Sequence, residues 1–152
     1  MKRDGIGSQP PYVGALLRMS VGIVRKRLLG AVARHGFSDI TAAQLAAFSY
    51  PFPDGLKPTE LAARANQSKQ ALNHMLAELE DAGYLIRKAE KAGGRRRVYL
   101  TSKGRKVVTI CQAEMIALQD EWSVRVGRRQ FDIFLDVLRH MPGDISADAE
   151  TS

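Results

Sequence analysis

Ser68-Lys69-Gln70-Ala71-Leu72-Asn73-His74-Met75-Leu76-Ala77-Glu78-Leu79 is the stretch on which the reading of the whole chain turns. Ser68 is a natural N-cap, because its hydroxyl can accept one of the amide N–H groups that a helix leaves unpaired at its start. Ala71, Leu72, Met75, Leu76 and Leu79 recur at helical spacing and form an apolar row. The opposite face carries Lys69, Gln70, Asn73 and His74, which donate and accept hydrogen bonds without being acidic. Glu78, Glu80 and Asp81 come only in the last turns, and Gly83 stops the helix.

On the N-terminal side a shorter helix is expected from about Pro58 to Ala65. Pro58 suits a first helical position, where a missing N–H costs nothing. Glu60 lies in the first turn, at the positive end of the helix dipole. Leu61, Ala62 and Ala65 face inward, and Asn66-Gln67 breaks the pattern. On the C-terminal side Tyr84-Leu85-Ile86-Arg87-Lys88 and Arg97-Val98-Tyr99-Leu100 are rich in strand formers. Lys91-Ala92-Gly93-Gly94 supplies a turn between them. Two short helices at an angle followed by a hairpin make a winged helix-turn-helix, whose second helix lies in the DNA major groove. The charge agrees. From Leu85 to Lys106 nine basic residues stand against one acid, a net +8, whereas the whole chain is +7, which leaves −1 elsewhere. A basic patch this local is what a phosphate-binding surface requires.

The span Leu56 to Gly104 resembles the DNA-binding core of the MarR family of bacterial transcription regulators. The matching pieces are Leu61-Ala62, Ser68-Lys69-Gln70-Ala71, Leu79-Glu80-Asp81-Ala82-Gly83-Tyr84-Leu85 and Leu100-Thr101-Ser102-Lys103-Gly104. The family's wing-tip Asp-x-Arg is replaced here by Ala92-Gly93-Gly94, which leaves Arg95 or Arg96 to take the arginine's place without its orienting acid. The resemblance implies that the N-terminal helix and the last two helices interlock with those of a second subunit, and it covers about Pro11 to Met141.

The rest of the chain divides around this core. Residues 1–10 are expected to be a mobile arm and 142–152 a disordered acidic tail. A long helix from about Pro11 to His35 carries Leu16, Leu17, Ile23, Val24, Leu28 and Val32 on a broad apolar face, interrupted by Arg25-Lys26-Arg27. Thr41-Ala42-Ala43-Gln44 is a capping box with Ile40 and Leu45 as a hydrophobic staple, opening a short helix to about Ser49; residues 50–55 form a turn. Thr101 caps a helix to about Val126 with Val107, Val108, Cys111, Met115, Leu118 and Trp122 in its stripe. Gly127 breaks it, and a last helix from Arg128 to Met141 carries Phe131, Phe134, Leu135 and Leu138. The fold class is therefore mainly α with a small β-hairpin wing. Residues 37–100 form the winged helix-turn-helix region, and 11–36 with 101–141 form a helical dimerisation region. Apolar faces left unclaimed at both ends argue for an isologous two-fold interface.

Other chemistries find little support. His35, His74 and His140 lie on three separate helices, none with a second His or Cys ligand at i+3 or i+4, so no metal is expected. The single cysteine, Cys111, excludes an internal disulfide framework and reads as a small buried hydrophobe. No nucleophile motif and no glycine-rich strand-to-helix loop occurs, so neither an enzyme nor a cofactor is expected. No apolar run approaches the roughly 20 residues of a membrane span and no secretory leader is legible, so a soluble cytoplasmic protein is expected. The expected DNA-contacting residues are Ser68, Lys69, Gln70, Asn73, His74, Arg95, Arg96 and Arg97. The resemblance adds a crevice for small aromatic acids between dimerisation helices and core, for which Tyr12, Arg18, His35 and Trp122 are the candidates. The expected function is a sequence-specific transcription regulator, by default a repressor, acting as a homodimer on a pseudo-palindromic operator in double-stranded DNA. The competing classes are a sequence-neutral DNA-coating protein and a redox- or metal-sensing regulator.

Overall fold

A computed structural model describes residues 9–48, 54–64, 67–89 and 91–141. The elements run α1 (Val13–Arg34), α2 (Ala42–Leu45), a 3₁₀ turn (Ala46–Phe48), α3 (Pro58–Arg64), α4 (Lys69–Asp81), β1 (Leu85–Ala89), β2 (Arg96–Leu100), α5 (Ser102–Val126) and α6 (Arg128–His140). This is a mainly helical fold with one antiparallel hairpin, the winged helix-turn-helix architecture. The N-terminal arm up to residue 8, the tail 142–152, Ser49, most of the turn 50–55, and Ala65 and Asn66 lie outside the described residues.

Local sequence accounts for most element ends. The Thr41 hydroxyl accepts the Gln44 N–H at 3.2 Å, and the Gln44 side chain accepts the Thr41 N–H at 3.0 Å, closing the capping box. Ile40 and Leu45 of the staple are both buried. The Ser68 hydroxyl accepts the Ala71 N–H at 3.1 Å, and the Thr101 hydroxyl accepts the Gly104 N–H at 3.1 Å. Helix α4 ends in a Schellman motif: the Tyr84 N–H reaches the Leu79 carbonyl and the Gly83 N–H the Glu80 carbonyl, both at 2.9 Å. That motif needs a left-handed residue, and Gly83 supplies it at φ +79. The chain is thereby turned from helix directly into β1.

Some expectations need correction. Helix α1 starts at Val13 rather than Pro11, because Tyr12 is its extended N-cap and lends its carbonyl to the Ala15 and Leu16 N–H groups. Ala71 is exposed, so the apolar row of α4 is Leu72, Met75, Leu76 and Leu79; a methyl group gains too little from burial to decide which way a helix faces. The short helix after Thr41 is a single α-turn that tightens into the 3₁₀ turn. In the α5 stripe Met115 and Trp122 are only half-buried. Arg27, expected to interrupt the apolar face of α1, instead grips α5. It donates to Glu114 through Nε and to Glu121 through Nη1 at 2.8 Å.

One core unites the molecule. Leu72, Leu76 and Leu79 of α4 pack with Phe48, Tyr84, Leu85, Val98 and Val107, and α1 joins through Leu28 and Val32. Only the C-terminal third of α1 is buried; Tyr12, Val13, Leu16, Met19 and Ile23 stand exposed on its first half, as do Ile133, Phe134 and Val137 on α6.

Candidate nucleic-acid interface

Burial of the α4 row fixes the direction of everything else on that helix. Lys69, Gln70, Asn73 and His74 are exposed, with Ser68 at the N-cap beside them. Helical spacing places Gln70, Asn73 and His74 on adjoining turns, where two amides and an imidazole form one polar edge. His74 Nε2 lies 3.3 Å from Glu78, whose other oxygen accepts from Gln44 of α2 at 3.0 Å.

The hairpin pairs Leu85 with Leu100, Arg87 with Val98 and Ala89 with Arg96. Leu85, Val98 and Leu100 face the core, and Arg95 and Arg96 are exposed at the tip. Arg97 turns the other way, and its Nη1 donates to the Gly55 carbonyl at 2.9 Å. The three arginines expected to act together are thus split, two outward and one against the base of the wing.

The wing is held at its base, by residues that sequence reasoning missed. Glu80 accepts both the backbone N–H and the Nε of Arg87, each at 2.8 Å. Burial pushes the Glu80 carboxyl up, but the Arg87 bonds outweigh it and hold it below the ordinary carboxylate range. Its contribution to stability is therefore present above the ordinary carboxylate pKa and lost as pH falls through its own lowered value. On the far edge Leu56 bridges Val98 as a one-residue third strand. Asp54 accepts the Leu100 N–H and an Arg105 Nη1, both at 3.0 Å, and so ties the hairpin to α5. The pairing of Glu80 with Arg87 was the more findable of the two, since opposite charges flank a helix stop seven residues apart.

The aromatic-acid candidates are not brought together within one chain. Tyr12 and His35 lie at opposite ends of α1, roughly 34 Å apart at about 1.5 Å per residue. Arg18 is exposed and Trp122 half-buried. His35 borders a hollow lined by Phe37, Arg105, Lys106, Thr109 and Ile110.

Among the described residues no three His, Cys, Asp or Glu side chains come together as metal ligands. No helix there is long and apolar enough to cross a membrane. Cys111 is buried, and burial pushes its thiol up to about 11. The thiolate that reacts with peroxide is scarce at neutral pH in such a site. Cys111→Ser is therefore expected to leave DNA affinity and its response to peroxide unchanged, apart from a modest stability loss. Peroxide release of the wild type from DNA, abolished in the Ser variant, would overturn this.

An exposed polar helix edge flanked by a basic hairpin, on a three-helix core, defines a DNA-binding winged helix-turn-helix protein. The model of the MarR family matches residues 50–96. The transcriptional regulator HosA of Escherichia coli O127:H6 is 28% identical over 110 residues, spanning 71% of this chain and 82% of HosA. Among solved structures, the Mycobacterium tuberculosis MarR family protein RV2887 in complex with salicylic acid is 28% identical. It matches with a TM-score of 0.61 over 86% of this chain and 98% of that one. The Staphylococcus aureus MepR–DNA complex shares the fold at a TM-score of 0.68 and 18% identity, over 88% of this chain and 96% of MepR. Over residues 50–96 and in its fold, the chain is similar to the MarR family of transcription regulators.

Proposed function

We propose that the protein is a homodimeric repressor of a pseudo-palindromic operator, released by a small aromatic acid. The observation that carries the DNA half of this reading is the outward row Lys69, Gln70, Asn73 and His74 set beside exposed Arg95 and Arg96. Amides bond adenine bidentately in the major groove, while arginines at a wing tip suit phosphate or a narrow minor groove. The half-sites would lie about one turn, or ~10 bp, apart, and bound protein would occlude polymerase. The apolar first half of α1 and the face of α6 support the dimer. In the DNA-binding region Ser68, Lys69, Gln70, Asn73, His74, Arg95 and Arg96 would contact DNA, and Arg97 would serve chiefly the base of the wing. For the effector, the hollow at His35 offers Phe37 and Ile110 to a ring and Arg105 and Lys106 to a carboxylate. The similar protein RV2887 has been captured with salicylic acid. Tyr12, Arg18 and Trp122 would join such a site only through a second subunit or by rearrangement.

One titration series tests the reading. The operator is first selected from random duplexes, then titrated beside a scrambled duplex at several salt concentrations, with and without salicylate. Gln70→Ala or Asn73→Ala should cost about 1–3 kcal/mol on the operator and relax base preference. Arg95→Ala or Arg96→Ala should weaken both duplexes evenly and lower the salt slope by roughly 0.9 for each phosphate no longer neutralised. Salicylate should weaken the operator complex. Equal affinity for operator and scrambled duplex would instead identify a sequence-neutral DNA-coating protein.

A further inference from the structure

Helix α4 packs chiefly against α3 and β1, whereas α5 packs against α1 and α6. The head that carries the polar edge meets the frame of long helices through the shared core, through Asp54 and Arg105, and at a polar joint of Ala82–Tyr84 against Thr101–Gly104. Besides the Thr101 hydroxyl, which donates to the Gly83 and Tyr84 carbonyls, Tyr84, Lys103 and Asp39 meet there. Tyr84, 1% exposed between the rings of Phe37 and Phe48, donates its hydroxyl to Asp39 in the turn after α1. Lys103, in the first turn of α5, donates to the Ala82 carbonyl at 2.8 Å, at the negative end of the α4 dipole. The same ammonium lies 4.0 Å from the centre of the Tyr84 ring and 3.6 Å from Asp39 Oδ2. One cation thus touches the C-cap of α4, the aromatic residue that follows it, and the acid behind α1.

We infer that Asp39, Tyr84 and Lys103 are positioning residues, a clasp that sets the angle of α4 against the long helices and thereby the half-site spacing the dimer accepts. The inference rests on the dimeric, α4-reading function proposed above. The lever is long. Helix α4 has 13 residues and spans about 20 Å, so a pivot of about 10° at Ala82 moves the Ser68 end by about 3.4 Å, the rise of one base pair. Packing alone does not need these polar groups. A phenylalanine at 84 would fill the same space between Phe37 and Phe48, and Lys103 is partly exposed. The Tyr84 hydroxyl and the Lys103 charge hold Asp39 below the ordinary carboxylate range, as a persistently ionised partner requires.

The test uses full-length protein and the selected operator, with its half-sites moved apart or together by one base pair. Wild type should bind the native spacing at least about tenfold more tightly than either altered duplex. Lys103→Met and Tyr84→Phe should each reduce that preference to about twofold, with α4's base preference kept, and Lys103→Arg should restore it. Should Tyr84→Phe fold poorly, Lys103→Met still decides. Variants that keep the wild-type spacing preference overturn the clasp, as does a loss of affinity equal at all three spacings together with a lower Tm. A dimeric wild type indifferent to spacing overturns the clasp alone; a monomer that binds one half-site overturns the underlying reading and the clasp with it.

Discussion

Phe134→Glu or Leu16→Glu is expected to leave the subunit folded, abolish self-association, and lower operator affinity by at least about a hundredfold. Both side chains are among the exposed large hydrophobics, on α6 and on the first half of α1. In a lone subunit a charge there meets water and costs little. In a two-fold assembly the same charge is buried twice without a partner, at several kcal/mol. Val13, Met19 and Ile23 on α1 and Ile133 and Val137 on α6 are likewise exposed, and would share this surface. Loss of the dimer removes the second recognition helix, and avidity between linked sites of about 10²–10⁴ is lost with it. Sedimentation at micromolar concentration with circular dichroism separates dissociation from unfolding. A monomeric wild type that still bound its operator as one subunit would sink the idea.

The parts of the fold that were legible in the sequence are those where a short period meets a stop signal. The α4 row at spacing 3.6 ends at Gly83, and strand alternation places Leu85, Val98 and Leu100 together inside. Those two facts also fix the candidate interface, because burying Leu72, Met75 and Leu76 forces Gln70, Asn73 and His74 outward. What stayed hidden depends on distant partners. Arg27 looks like an intrusion into an apolar face until Glu114 and Glu121, 87 and 94 residues on, are brought beside it. The Leu56 bridge to Val98 is one residue long and leaves no alternation to read. Alternation separates Arg96 from Arg97, but it cannot show that Gly55 waits on the second side. The set Tyr12, Arg18, His35 and Trp122 came from family resemblance and residue type, and neither carries the length of α1 that separates its members.

Gly104→Ala is the substitution expected to damage stability most for the fewest atoms added. Gly104 lies in the first turn of α5, where alanine would ordinarily favour the helix by about 1 kcal/mol. Here a Cβ would stand 2.1 Å from the Tyr84 carbonyl oxygen and 3.1 Å from a Leu100 methyl. The first neighbour is backbone, held by the Thr101 N–H at 3.1 Å and the Thr101 hydroxyl at 3.0 Å, so it has no rotamer by which to move aside. Relief requires α5 to back away from the end of α4, which opens the core between Tyr84 and Val107, both almost fully buried. Overpacking of this kind typically costs 1–3 kcal/mol and more where backbone must shift, so a net loss of about 3 kcal/mol is expected. At roughly 2–4 °C per kcal/mol for a chain of this size, Tm should fall by about 10 °C. Thermal melts of variant and wild type at equal protein concentration measure it, since association shifts apparent stability. A variant as stable as the wild type would mean that the approach of α5 to Tyr84 is looser than these distances require, and that the joint between reading head and frame lies elsewhere.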